Sequence, residues 1–136
     1  MGNYYLLKQQ NNMKQLVIKA THFTPRVELN PEGGILIEGR SIIEDQSKFY
    51  LPILRWIKSC TFSALSVDIK IEHMNSNCAK EIFSILTLIR ENYSIKTAHI
   101  NWFYEEGDND TLELGKEFES RIDLPFDFYK FYEVTA

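Results

Sequence analysis

The sequence predicts an α/β fold: a single-domain mixed β-sheet with helices mainly on one face. Three observations carry this. Leu65, Val67, Ile69 and Ile71 alternate with Ser66, Asp68, Lys70 and Glu72, a period of two that makes a strand with one apolar side. Directly after it, Ile82, Phe83, Ile85, Leu86, Ile89 and Tyr93 recur at helical spacing. The second half of the chain goes on alternating strand-like and helix-like segments. That order implies βαβ units, right-handed crossovers and parallel pairing. The strands are amphipathic rather than wholly apolar, so the second face of the sheet stays more open.

Each element has its own signal. Residues 1–13 are polar, with Gln9, Gln10, Asn11 and Asn12 in succession, and read as a flexible N-terminal arm; 14–136 is then one domain. Residues 15–20 form a first strand. Residues 25–29 and 35–39 form a hairpin across Asn30-Pro31-Glu32-Gly33-Gly34, where Pro presets φ and the glycines admit positive φ. A helix over 47–59 has Ser47 as N-cap, Pro52 near its first turn, and Tyr50, Ile53, Leu54 and Ile57 as its apolar stripe. The strand 65–73 and a helix over 77–93 follow, with Ser76 as cap. Strand 96–104 puts Ala98, Ile100 and Trp102 on one face. A more polar helix over 108–121 is held by Leu112, Gly115, Phe118 and Ile122, with Asp108 and Asp110 at its dipole-positive start. Leu124-Pro125-Phe126 stops it, and 126–132 reads as an edge strand or a docked tail.

Composition excludes several function classes. A chain of 136 residues with 44% hydrophobic and 25% charged content is a soluble globular domain with a real core. Its net charge of −4 argues against nucleic-acid binding, which draws on clustered Lys and Arg. The two cysteines, Cys60 and Cys78, have no metal-type spacing and suit a reducing, cytoplasmic setting. No apolar run is long enough to span a bilayer, and the N-terminus lacks a signal layout. Met1-Gly2 does not open a myristoylation motif, because Leu6 stands where Ser or Thr is needed. His22, His73 and His99 form no metal set, and neither a P-loop nor a dinucleotide fingerprint occurs, so no cofactor is expected. The run Glu105-Glu106-Gly107-Asp108-Asn109-Asp110 lacks the ligand order of an EF-hand.

The chemistry concentrates at Asn75-Ser76-Asn77-Cys78-Ala79-Lys80, a strand-to-helix corner carrying a hydroxyl, two amides, a thiol and an ammonium. Ser76 as a plain N-cap contributes about 1 kcal/mol. The same place also tolerates a phosphate, since a helix start offers unpaired N–H groups and a positive dipole end. A phosphoserine brings roughly −1.5 to −2 charges, which a partner packed on the corner would meet. Asn75, Ser76, Asn77, Cys78 and Lys80 are therefore the expected partner-binding residues, with Ser76 as phosphoacceptor. Two other readings stand beside this one. The corner serves a constitutive adaptor that is never modified, or Cys78 is a redox-sensing thiolate with His73 as its base.

Several blocks in a fixed order resemble the SiaC family of small bacterial regulatory phosphoproteins, relatives in fold of the anti-anti-sigma (STAS-type) domains. They are Ala20-Thr21-His22-Phe23-Thr24-Pro25, Gly39-Arg40-Ser41 with Glu44, Phe49-Tyr50 with Pro52 and Trp56, Asn75 to Lys80, Asn101-Trp102-Phe103-Tyr104-Glu105-Glu106, and Leu124-Pro125-Phe126. The family's corner reads Asn-Thr-Ser-Ser-x-Lys with Thr as phosphoacceptor. Asn75 and Lys80 match it, Ser76 takes the acceptor position, and Asn77 and Cys78 replace two serines. The resemblance implies a STAS-like fold and a non-catalytic protein. It further implies that the unphosphorylated form binds and activates a diguanylate cyclase in cyclic-di-GMP and biofilm signalling. A dedicated kinase and a PP2C-type phosphatase would set its state.

Overall fold

The computed structural model describes residues 14–61 and 63–132. The proposed arm, 1–13, lies outside the described residues. Strands β1 (Leu16–Ile18), β2 (Arg26–Asn30) and β3 (Gly34–Ser41) come first. Then follow α1 (Gln46–Lys58), β4 (Ala64–Met74), α2 (Ser76–Glu91), β5 (Thr97–Glu105), α3 (Asn109–Arg121) and β6 (Phe126–Phe131). The strands make one six-stranded sheet in sequence order, β1-β2-β3-β4-β5-β6. β1, β2 and β3 pair antiparallel, and β3, β4, β5 and β6 pair parallel. Successive right-handed crossovers stepping one way across a sheet put every helix on the same side.

Burial follows from that. Leu65, Val67, Ile69 and Ile71 of β4 and Ala98, Ile100 and Trp102 of β5 are buried under the helices. They meet Tyr50, Ile53 and Ile57 of α1, Ile82, Ile85, Leu86 and Ile89 of α2, and Phe118 of α3 in one core. The opposite face carries a row that is polar except for Leu36, namely Glu28, Leu36, Asp68, Asn101 and Asp127, one residue per strand by register. Segment 126–132 resolves as an edge strand: β6 pairs with β5 from Ile100↔Phe126 to Glu105↔Phe131.

Some expectations need correction. α1 begins at Gln46 behind Asp45, not at a Ser47 cap; the Ser47 hydroxyl donates to Asp45 instead. Pro52 therefore stands inside the helix, on its exposed side, where its ring does not interrupt the packed stripe of Tyr50, Ile53 and Ile57. α2 ends at Glu91, and Tyr93 projects beyond it, 91% exposed rather than part of the apolar stripe. The Asn92 amide donates to the carbonyls of Ile57 and Cys60, so it fastens the end of α2 to the end of α1. The hairpin turn works as read: Gly33 sits at φ +110°, and a Cβ there would lie 2.6 Å from the Ala64 carbonyl oxygen.

Candidate functional site

The corner is built on Ser41. This buried serine shares a 2.7 Å hydrogen bond with the Tyr50 hydroxyl, and its carbonyl accepts from the Asn75 N–H at 3.1 Å. Burial pushes the Tyr50 phenol far above its ordinary range, with Cys78 and Glu81 adding to the rise and Ser41 opposing it. Tyr50 is thus a neutral hydroxyl fixed under the corner. Between Gly39 and Arg40 the β3–β4 register slips by one residue, so that Gly39 faces Ile71 and Arg40 faces His73. The extra residue is Glu72. Such a bulge re-aims the side chains that follow it. Here it restores Met74 opposite Ser41 and brings Asn75 to the helix mouth.

Asn75, not Ser76, is the cap of α2. Its Oδ1 accepts from the Cys78 N–H at 2.8 Å, its amide donates to the Ile43 carbonyl at 3.3 Å, and its carbonyl accepts from Ala79. The sequence contains Asn and Ser side by side, both good caps, and only the register at the bulge decides between them. Ser76 becomes the first helical residue. It is exposed, as are Asn77 and Lys80. The N–H groups of Ser76 and Asn77 have no partner among the described residues, and α2 has no acidic residue in its first turn. An anion on the Ser76 hydroxyl would therefore meet two open donors and an uncompensated dipole end.

Cys78 must be removed from the surface set. It is fully buried in the core, because Asn75 as cap turns the third helical position inward. His73 is exposed, paired by register with Arg40, so the two do not form a thiol–base pair. Burial also pushes the Cys60 thiol up to about 12. Neither cysteine is placed as an accessible thiolate.

The sequence reading missed the neighbour of the corner. A groove of about 780 Å³ runs between α2 and α3, with Ser76, Lys80 and Phe83 on one wall and Asp110, Leu114 and Arg121 on the other. Its floor is aromatic: Phe83 and Phe118 meet edge-on at 5.2 Å, and the Arg121 guanidinium lies 4.5 Å from the Phe83 ring. It escaped notice because α3 is polar along most of its length and carries no motif. The open sheet face also holds a Ser–His–Asp row, Ser66, His99 and Asp127. His99 Nε2 lies 2.7 Å from Asp127, but the Ser66 hydroxyl accepts from Asn101 rather than pairing with the imidazole. Nucleophilic catalysis needs that missing bond.

Comparison with known proteins agrees with this architecture. The model of the SiaC family regulatory phosphoproteins matches residues 18–131. SiaC of Pseudomonas aeruginosa is similar in structure, with a TM-score of 0.79 at 22% identity over 88% of this chain and 100% of that one. The structure of the diguanylate cyclase SiaD in complex with its activator SiaC, from the same organism, matches with a TM-score of 0.78 at 21% identity, covering 85% of this chain and 99% of that one. Apo-SiaC from that organism matches with a TM-score of 0.75 at 20% identity, covering 86% and 99%. Among curated protein sequences none matches. No helix among the described residues is long and apolar enough to cross a membrane. With sheet order, helix placement and the matched span in agreement, the chain belongs to the SiaC family of regulatory phosphoproteins.

Proposed function

We propose that this protein is a non-catalytic cytoplasmic switch whose unmodified form binds and activates a diguanylate cyclase, and that phosphorylation of Ser76 ends the interaction. One observation carries the reading: Ser76 is exposed at the first position of a helix already capped by its neighbour. The hydroxyl is not needed to hold the helix, and the helix end is electrostatically open to a dianion. The partner side is supported by the complex of SiaD with its activator SiaC, a structural relative of this chain. Asn75, Ser76, Asn77 and Lys80 form the contact corner. A kinase adds the phosphate and a PP2C-type phosphatase removes it. Burial of both cysteines supports a protein that transforms no substrate.

Intact-mass measurement after incubation with the cognate kinase tests this. One added phosphate is expected, and none on Ser76→Ala. Modification that persists in Ser76→Ala would remove Ser76 from the mechanism. A chain that is never modified yet binds the cyclase would be a constitutive adaptor.

A further inference from the structure

β6 closes the sheet with a regular edge. Among the described residues no strand pairs with its outer side. Its pairing with β5 runs without a bulge from Phe126 to Phe131, and no proline interrupts it. Sheet edges are usually shortened, bulged or broken by proline, because unpaired N–H and C=O groups invite another strand. β1, at the opposite edge, follows that rule with three residues. On β6 the groups on offer can be named. The Pro125 and Phe131 carbonyls accept from Ile100 and Glu106, so the odd-numbered residues turn their backbone groups toward β5. By alternation the N–H and C=O of Phe126, Phe128 and Lys130 point outward. The open sheet face beside this edge is aromatic. Phe103 and Tyr129 stack at 5.1 Å, and the Lys70 ammonium lies 4.4 Å from the centre of the Phe131 ring. Tyr129 stays 45% exposed.

We infer that β6 pairs antiparallel with β6 of a second copy of this chain, so that two sheets continue as one. Side chains directly opposite each other in such a pair share a face, so the two-fold axis passes through a residue and not between two. Charge selects the residue. Centred on Tyr129, the pairing sets Asp127 of each copy opposite Phe131 of the other, on the open face. Lys70 already holds its ammonium over that ring, so a carboxylate meets a cation at both ends of the ladder. Lys70 forms no salt bridge among the described residues, and Asp127 faces His99 with only one of its two oxygens. The two Tyr129 rings meet at the axis and cover one another. Centred on Phe128 instead, Asp127 would face Tyr129, and Lys70 would be left out. On the helix side Lys130 falls opposite Phe128, beside Lys116; Glu119, 3.9 Å from Lys116, offsets that crowding. The exposed ion pairs set the register, while the ladder and the covered rings supply the affinity. The strand carries its own complement, which singles out a second copy as the occupant. The pairing needs neither Ser76 nor the corner.

Sedimentation equilibrium of the full chain, from low micromolar to submillimolar concentration, tests this. A reversible species of twice the 16.0 kDa of one chain is expected; a monomer at every concentration would overturn the pairing. Charge exchange then tests the register. Asp127→Lys and Lys70→Asp should each weaken the dimer tenfold or more, because symmetry counts every change twice. The double variant should recover to within about threefold of the natural protein, since it restores both ion pairs with their signs exchanged. Single variants that dimerise within twofold of the natural protein, or a double variant no better than the singles, would contradict the inference. Lys130→Pro removes an outward N–H that β5 does not use, so the monomer should keep its thermal midpoint while the dimer is lost. A Lys130→Pro protein that melts normally and still dimerises would also overturn the pairing. If that variant fails to fold, the charge exchange decides.

Discussion

The starts of α2 and α3 stand next to one another and solve the same problem differently. Each is capped by an Asx side chain that accepts from the third N–H: Asn75 from Cys78 at 2.8 Å, and Asp108 from Thr111 at 3.1 Å. α3 brings its own negative charge, with Asp108 as cap and Asp110 in the first turn. α2 brings none. One helix end is already neutralised, and the other is left for a charge supplied from outside. A helix start becomes a switch when its cap is neutral and its first hydroxyl is spare.

The comparison can be broken most severely through the seat of α3. A Cβ on Gly115 would fall 2.5 Å from Trp102 Nε1, which donates to the Thr111 carbonyl at 3.0 Å. Gly115→Ala is expected to cost about 3 kcal/mol in urea unfolding, as overpacking plus a strained hydrogen bond. Next comes Asn75→Ala, which removes the cap of α2 and its bond to Ile43; a loss of about 2 kcal/mol is expected. Asn75→Asp should fall between that variant and the natural protein. It keeps the cap and adds a favourable charge, but cannot donate to Ile43. Tyr50→Phe strips the buried Ser41 hydroxyl of its partner and should cost about 1–2 kcal/mol by the same measurement. The smallest effects sharpen the contrast directly. Ser76→Asp should stabilise the protein by about 0.3–1 kcal/mol, and Asp110→Asn should destabilise it by a similar amount, both shrinking as salt is added. If Ser76→Asp were destabilising at low salt, the α2 end would not be open to charge.

Much of this was legible in the sequence, and the reason is periodicity. β4 and α2 carry clean periods of two and 3.6, so their faces could be read directly, and the Pro-Glu-Gly-Gly turn announced its hairpin. The mixed sheet followed from element order, and its one-sided helices from the amphipathic strands. What escaped was set by single-residue register. The β-bulge at Glu72 leaves no mark in composition, yet it decides that Asn75 caps α2 and that Cys78 points into the core. Pro52 argued for an earlier position in α1 than it takes, because on the exposed side its ring leaves the packed stripe intact. The α2–α3 groove joins residues far apart in the chain, and no local pattern signals such a meeting.

The most direct test of the switch is the affinity of the cognate diguanylate cyclase for two otherwise identical proteins, one unmodified and one phosphorylated on Ser76, measured by calorimetry at physiological salt. At least a tenfold weakening by the phosphate is expected, about 1.4 kcal/mol or more, with the thermal midpoint of the modified protein unchanged or raised. Equal affinity of the two forms, or a modified protein that has simply unfolded, would contradict the account.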